Sequence, residues 1–182
     1  NEVLYGDSSG ESKYPKLADI IRYEKLFTYG GVYIDADSRC IKSFNHLTSD
    51  EFFVAYENEI KCPNIIANGV IGSIPKHKIL KNCIYEISEL DKNIITKNAA
   101  FKVTGTLLLT KVINQYPNTN IKIHPSQYFY PLHYSNFTNN SSNHNFKNSY
   151  TFQYWNSTEK NMPSMLSRLI NRITRLYKNY LG

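Results

Sequence analysis

Three observations predict an α/β layered fold for this chain. Segments with helical and with strand-like patterns alternate along 182 residues, and such alternation is typical of layered α/β domains. Short β-branched and aromatic runs are typical of buried strands. Several of the segments between them place apolar residues on one stripe, as amphipathic helices do. We find no internal repeat, and no linker clear enough to divide the fold.

The composition narrows the class of protein. A hydrophobic fraction of 41% and an aromatic fraction of 14% exclude wholesale disorder. No apolar run approaches the roughly 18–20 residues that span a bilayer, and no signal-peptide pattern opens the chain. We therefore expect a soluble or peripheral membrane protein of unknown compartment. Because its first residue is Asn rather than Met, we expect a processed, trimmed or excerpted chain.

Charge and cysteine content exclude further classes. The net charge of +6 is concentrated near the C-terminus, whereas a nucleic-acid binder carries a broad basic face with interleaved aromatics. We therefore predict no nucleic-acid partner. The three cysteines are far apart and form no Cys-x-x-Cys pair, so we predict idle thiols rather than a zinc site or a disulfide framework. They are Cys40, Cys62 and Cys83.

The first predicted helix, residues 16–29, leads directly into the first predicted strand. Gly30-Gly31 supplies the left-handed cap at which a helix ends. Val32-Tyr33-Ile34 then has the pattern of a buried strand. This strand delivers Asp35-Ala36-Asp37 at its carboxyl end, where α/β sheets bind their ligands.

The middle of the chain continues the alternation. Further helices are predicted at residues 76–90 and 106–115. Strand character is predicted at 41–47 (a strand edge and turn), 52–56, 65–73, 121–123, 128–130 and 150–155. Asn68-Gly69 interrupts the run at 65–73, which indicates a strand kinked at a bound group or a tight turn. Residues 134–149 are rich in Asn and Ser and predict a mobile loop.

The C-terminal segment has the cleanest helical periodicity in the chain. Residues 164–181 place Leu, Ile and Tyr on one face and Arg and Lys on the other. We accordingly divide the chain into a main domain, residues 1–160, and a basic amphipathic helix at 161–182. That helix either packs its apolar face on the core or attaches peripherally to an anionic membrane.

The acidic pair Asp35 and Asp37 is the centre of the functional prediction. In an extended segment, alternate side chains point the same way, so the two carboxylates would share one side. Paired carboxylates make a hard-oxygen site that suits Mg²⁺ or Mn²⁺, with diphosphate oxygens and water completing the shell. Alone, the pair is also compatible with a solvated turn after a strand.

A second motif precedes the pair. Asp19-Ile20-Ile21-Arg22 places an acid and a base one turn apart on the preceding helix, on one face. An ordinary surface ion pair would explain that spacing. It would not explain the whole order of helix, Gly-Gly, strand and Asp-x-Asp.

Residues 18–37 as a whole closely resemble the glycosyltransferase sugar-binding region containing the DXD motif, that is, glycosyltransferase family 32. The resemblance covers about residues 14–160. It implies a GT-A-like single domain with a mixed sheet flanked by helices, a UDP- or GDP-sugar donor, a divalent cation (commonly Mn²⁺) and retention of anomeric configuration. A glycan, a protein or a lipid would be the acceptor.

The resemblance also implies roles for individual residues. Asp19 and Arg22 would hold donor sugar hydroxyls, and Tyr33 would lie beside the donor. Asp35 would contact ribose or sugar and reach the metal through water, while Asp37 would be the direct metal ligand. Asp35, Asp37 and Arg22 are thus the predicted catalytic residues.

Downstream likeness is fainter and includes two departures. Asn68 and Trp155 match positions in the donor site, and Thr104-Gly105 resembles the family's Thr-Gly-Pro without the proline. Gln153 stands where the family has a metal-binding histidine, and its amide oxygen would be a poorer ligand. The nucleotide-binding strand that normally opens this fold is expected to be missing or truncated here.

Three functions follow as hypotheses. The leading one is a metal-dependent retaining hexosyltransferase, and the second is a non-catalytic remnant that binds sugar or nucleotide. A phosphotransferase is weaker because the chain has no Gly-rich phosphate loop. Glu57 is a candidate for acceptor contact, although a solvated charge explains it better. The remaining histidines are expected to be solvated: His46, His77, His133 and His144.

Overall fold

The computed structural model describes residues 13–117, 119–133 and 146–155. Helices and strands alternate through these residues. In chain order they are α1 (Lys13–Tyr29), β1 (Gly31–Ile34), β2 (Ser38–Cys40), β3 (Phe52–Asn58), β4 (Cys62–Ser73), α2 (Lys78–Ser88), α3 (Lys92–Lys97), α4 (Ala100–Val103), α5 (Thr106–Gln115), β5 (Lys122–His124), α6 (Ser126–Phe129) and β6 (Thr151–Gln153).

The main sheet has the strand order β1-β4-β3-β5. Its β1/β4 and β3/β4 pairs are antiparallel, whereas β3 and β5 run parallel. Strands β2 and β6 form a separate antiparallel pair. The predicted α/β class, with a mixed sheet flanked by helices, is confirmed.

The hydrophobic core lies on both faces of the main sheet. Successive residues of a strand point to opposite faces, and β3 accordingly sends Phe52 and Val54 into one cluster and Phe53 and Ala55 into another. The first cluster is mostly aliphatic and includes residues of α1, α2 and α5. The second is largely aromatic and includes Phe129 and Tyr130.

Strand β4 carries an irregularity that the site depends on. Phe53 pairs with Gly72 and Ala55 with Ala67, so β4 holds three more residues than β3 between these two pairs. Asn68 and Gly69 lie in the excess. A bulge re-aims side chains where a sheet meets a ligand site, and the interruption predicted at Asn68-Gly69 is confirmed.

One strand prediction is correct only in part and another is wrong. Residues 41–47 form the predicted turn but no strand edge, and the strand of this region is β2, immediately after the acidic motif. Residues 128–130 close the helix α6 instead of forming a strand. The carboxylate of Glu59 accepts hydrogen bonds from the backbone nitrogen of Ser126 at 2.7 Å and from its hydroxyl at 2.5 Å. This distant cap satisfies the first turn of α6.

Several predictions fall outside the described residues. They are the C-terminal helix with its membrane contact, most of the loop at 134–149, and the opening of the chain, where the nucleotide-binding strand was expected to be missing. The division at residue 160 therefore stays a prediction. Within the described ranges, no helix is long and apolar enough to cross a membrane.

Candidate functional site

Arg22 is the centre of a buried polar network beneath the end of β1. Its Nη2 lies 3.2 Å from Asp19 Oδ1 and 3.0 Å from Asp35 Oδ1, and its Nη1 donates to the carbonyl of Asn68. The guanidinium carbon lies 4.5 Å from the centroid of the Tyr33 ring. One cation thus joins helix α1, the end of β1 and the bulge of β4.

Both carboxylate oxygens of Asp19 bind protein donors. Oδ1 accepts from the side-chain amide of Asn68 at 2.8 Å, and Oδ2 accepts from the Thr104 hydroxyl at 2.8 Å. Burial raises the pKa of Asp19, and the charge of Arg22 opposes that shift. The hydroxyl of Thr106 donates to Asn68 Oδ1 at 3.2 Å, which completes the bonding of the amide. Asp19 therefore anchors Arg22 and Asn68 in this structure.

Asp35 leaves the sheet directly over Gly69. Its backbone nitrogen donates to the carbonyl of Gly69 at 2.8 Å. A Cβ at position 69 would lie 2.7 Å from Asp35 Oδ2 and 3.3 Å from the hydroxyl of Tyr130. That hydroxyl accepts from the backbone nitrogen of Val70 at 2.8 Å. The missing side chain at Gly69 thus makes the space in which the carboxylate of Asp35 sits.

Burial and the nearby cation of Arg22 have opposite effects on the pKa of Asp35. Burial raises its pKa, the charge of Arg22 opposes the rise, and the negative charge of Asp37 adds to it. The pKa of Tyr130 is raised mainly by burial, with further contributions that include the charges of Asp35 and Glu57. Arg22 therefore offsets much of the cost of placing Asp35 beside a second carboxylate.

The acidic motif forms a turn, so the prediction of an extended segment is wrong. The backbone nitrogen of Ser38 donates to the carbonyl of Asp35 at 2.9 Å, which closes the turn. The physical reason is that β1 pairs with β4 whereas β2 pairs with β6, and the chain must change sheets between them. The two carboxylates still influence each other, because the charge of Asp37 raises the pKa of Asp35.

Asp37 is held by β6. Its backbone carbonyl accepts from the nitrogen of Tyr154 at 2.8 Å, and its Oδ1 accepts from Gln153 Nε2 at 2.9 Å. The hydroxyl of Ser38 donates to Gln153 Oε1 at 2.5 Å. Gln153 therefore presents its amide nitrogen, not its oxygen, to Asp37. To bind a metal ion through its oxygen, the Gln153 amide must rotate by about 180°, and the role of Gln153 as a metal ligand stays a prediction.

The ring of Tyr130 lies between Trp155 and the acidic motif. The Trp155 indole nitrogen donates to the carbonyl of Leu132 at 2.8 Å. Its ring centroid lies 6.0 Å from that of Tyr130 and 5.4 Å from that of His133. Trp155 thus packs on the ring whose hydroxyl lies near Asp35, and its predicted contact with a donor stays a prediction.

Sequence reasoning missed several residues of this region. Tyr130 was assigned only to a strand, because no local pattern shows that its hydroxyl reaches β4. His133 was expected to be solvated, yet it is 1% exposed and its Nε2 lies 3.3 Å from Glu57 Oε1. His77 is also buried and caps α2. A polar residue's burial depends on distant segments, which local periodicity does not show.

The structure contains the order on which the resemblance to DXD glycosyltransferases is based, namely an Asp-x-x-Arg helix, a strand and an Asp-x-Asp turn. The family described as "Glycosyltransferase sugar-binding region containing DXD motif" matches residues 8–54. The family described as "Alpha 1,4-glycosyltransferase conserved region" matches residues 73–180, more than half of the chain. The chain belongs to the DXD-motif glycosyltransferases that these two regions define.

Individual proteins agree with this assignment. The chain is 32% identical over 117 residues to "Mannosyl phosphorylinositol ceramide synthase SUR1" of Saccharomyces cerevisiae, covering 63% of this chain and 30% of that protein. It is 33% identical over 135 residues to "Uncharacterized glycosyltransferase L373" of Acanthamoeba polyphaga mimivirus, covering 69% and 51%. The matched part therefore spans about a third to a half of these relatives.

One solved structure is also similar. "PaToxG Glycosyltransferase" gives a TM-score of 0.45 at 20% sequence identity, over 57% of this chain and 35% of that one.

Proposed function

We propose that this chain transfers a hexose from a UDP- or GDP-sugar, held through a divalent cation, to a glycan, protein or lipid acceptor. The observation that carries the proposal is the acidic turn itself. The Asp35 carboxylate contacts Arg22 and lies over Gly69 in the bulge of β4. The Asp37 carboxylate accepts a hydrogen bond from Gln153. Family membership supports sugar transfer as the reaction class.

The residues of the turn fit a hard divalent cation. Carboxylate oxygens are the ligands that Mn²⁺ and Mg²⁺ prefer, and the space over Gly69 accommodates the Asp35 carboxylate that would help to hold the ion. Asp37 would bind it directly, Asp35 directly or through water, and Gln153 after rotation of its amide. When bound, such an ion stabilises the charge that develops on a diphosphate leaving group.

The remaining predicted residues divide into two roles. Asp19 and Arg22 would hold donor sugar hydroxyls, and their mutual bonds would also set the position of Asn68 and Asp35. Tyr33 and Trp155 would provide flat surfaces beside the donor. We propose retention of configuration because the family resemblance implies it. The departing phosphate can then take the proton of the acceptor, so no separate protein base is required.

The name of one relative indicates which acceptor to test first. The name of the yeast protein includes a mannosylated inositol phosphoceramide product, which makes a lipid with a phosphoinositol headgroup the first acceptor to test here. Glycan and protein acceptors are the alternatives.

The deciding experiment is Mn²⁺-dependent hydrolysis and transfer across a panel of UDP- and GDP-sugars. We expect Asp37→Ala to lower turnover at least about 100-fold, because a metal contact that stabilises the leaving group is worth several kcal/mol. Glu89→Ala, which removes an exposed acid at the end of α2, is the matched control and should behave as the unsubstituted chain. Equal turnover by Asp37→Ala would contradict the metal role.

A second candidate is a chain that binds donor without turning it over. Gln153, which stands where the family resemblance expects a metal-binding histidine, favours this candidate. Calorimetric donor binding that depends on Mn²⁺ and on Asp37, together with no hydrolysis or transfer across the donor panel, would support it over the enzyme.

A further inference from the structure

Glu57, Cys62 and His133 bring three potential metal ligands together away from the acidic motif. Glu57 lies near the end of β3, Cys62 begins β4, and His133 follows α6. Asn58 pairs with Cys62 across the β3/β4 ladder, and the register of that ladder is irregular between Tyr56 and Asn58. The Cys62 thiol there approaches the carboxylate of Glu57. One ligand atom from each of the three residues lies within 4.8 Å of the other two.

The distances suit tetrahedral coordination. Glu57 Oε1 lies 3.3 Å from His133 Nε2 and 3.6 Å from Cys62 Sγ. Bonds of about 2.0–2.3 Å to zinc at tetrahedral angles place neighbouring ligand atoms roughly 3.3–3.6 Å apart. Two of the three edges of the ligand triangle therefore already have the required length. The third edge, between the thiol and the imidazole, is no longer than 4.8 Å.

The ligand set is chemically different from the acidic turn. A thiol, an imidazole and a carboxylate form a borderline-soft set, which favours Zn²⁺ over the hard ions Mg²⁺ and Mn²⁺. Three protein ligands also leave a fourth position for water. His133 is buried, whereas Glu57 and Cys62 are partly exposed, so an ion can enter from solvent.

The surrounding contacts give a bound ion a structural consequence. The ring of His133 packs edge-on against Trp155 at 5.4 Å, and the indole nitrogen of Trp155 donates to the carbonyl of Leu132. An ion at this cluster would therefore tie residues 131–133 and Trp155 to the β3/β4 hairpin. Tyr130, immediately before this segment, reaches over toward Asp35.

We propose that Glu57, Cys62 and His133 form a zinc-type site, separate from the Asp35–Asp37 turn, that fastens the segment carrying Tyr130 to the sheet. Binding converts the thiol to a thiolate bonded to the metal and releases its proton to solvent, as thiol coordination does in general. The proposal does not depend on the sugar-transfer function.

Cobalt(II) titration of the purified chain is the test, because Co²⁺ reports thiolate ligation and tetrahedral geometry by its absorption. We expect one equivalent of Co²⁺ to give a thiolate-to-cobalt charge-transfer band together with intense tetrahedral d–d bands. Zn²⁺ should displace it and should raise the melting temperature of the chain. Metal analysis after dialysis against Zn²⁺ should give one ion per chain beyond any held by the acidic turn.

The cysteines provide matched variants. Cys62→Ser should abolish the charge-transfer band, whereas Cys40→Ser, which removes an exposed thiol, should keep it. Glu57→Gln should weaken Co²⁺ binding at least about 10-fold. Asp37→Ala should leave the band intact, which separates this site from the acidic turn whatever the outcome for sugar transfer.

Three results of the cobalt titration would overturn the proposal. They are a chain without a charge-transfer band, a band that survives in Cys62→Ser, and a band lost equally in Cys40→Ser. If Glu57 and His133 act only as a hydrogen-bonded pair, Zn²⁺ will not raise the melting temperature, which also overturns it. Circular dichroism of each variant checks that it folds, and Cys62→Ala is the second variant if Cys62→Ser does not.

Discussion

The two ends of the acidic motif lie in different environments although only Ala36 separates them. Asp35 directly follows β1 of the main sheet and faces the buried cation of Arg22 at 3.0 Å. Asp37 directly precedes β2 of the small β2/β6 sheet and accepts from the neutral amide of Gln153 at 2.9 Å. The turn between them is the point at which the chain changes sheets.

This difference indicates that the two ends of the motif have different roles. The Asp35 end contributes to the stability of the fold, because its partners come from helix α1 and from the bulge of β4. The Asp37 end is positioned by short-range contacts of the small sheet and leaves the core intact when it changes. Substitutions at the first end should therefore lower the free energy of unfolding, whereas those at the second should mainly alter cation binding.

The largest effect is expected for Arg22→Met. This change leaves the carboxylates of Asp19 and Asp35 in the same buried region without their cation, and breaking one side of such a pair costs about 3–5 kcal/mol. Urea unfolding at neutral pH measures the loss. Lys25→Met, an exposed position on the same helix, should change stability by less than about 0.5 kcal/mol. Equal stability of the two variants would contradict the role assigned to Arg22.

An intermediate effect is expected for Gly69→Ala. The added methyl would lie 2.7 Å from Asp35 Oδ2, and a shift of this carboxylate would disturb the contact of its Oδ1 with Arg22. Overpacking of this kind costs about 1–3 kcal/mol, and urea unfolding measures it. The same substitution in an Asp35→Ala background should cost clearly less, because the opposing oxygen is gone. Additive losses would show that the close approach is unimportant.

The smallest change in stability is expected for Gln153→Glu. Ser38 can still donate to one carboxylate oxygen, but the hydrogen bond to Asp37 is replaced by like-charge repulsion, at a cost of about 1 kcal/mol. A third carboxylate should at the same time tighten Mn²⁺ binding. Thermal unfolding with and without Mn²⁺ should therefore show a larger metal-dependent gain than in the unsubstituted chain. Gln127→Glu, a substitution away from the turn, is the control and should not enlarge that gain.

Much of the site was predictable because its first half is local. The helix α1, the Gly30-Gly31 cap and strand β1 follow from patterns within about twenty residues. The spacing of Asp19 with Arg22 and of Asp35 with Asp37 lies within the same stretch. The interruption of β4 at Asn68 was also readable, since Asn-Gly within an apolar run marks a break in a strand.

The parts that could not be predicted depend on distant contacts. Gln153 meets Asp37 across a sequence separation of 116 residues, and His133 meets Glu57 across 76. The helix α6 reads locally as a strand, and its first turn is satisfied by Glu59, which is 67 residues away. Such distant partners determine how the side-chain amide or carboxylate is oriented. Patterns within a short stretch of sequence do not show which distant residues these partners are.

The α/β class, the order of helix, cap, strand and acidic pair, and the family could all be inferred from the amino-acid sequence. Short-range sterics and hydrophobic periodicity govern those features. That the acidic pair is a turn between two sheets, that Gly69 makes room for Asp35, and that Glu57, Cys62 and His133 meet became visible with the folded structure. Each of these depends on packing between segments far apart in the chain, where the pairing of strands brings together groups that no local pattern connects.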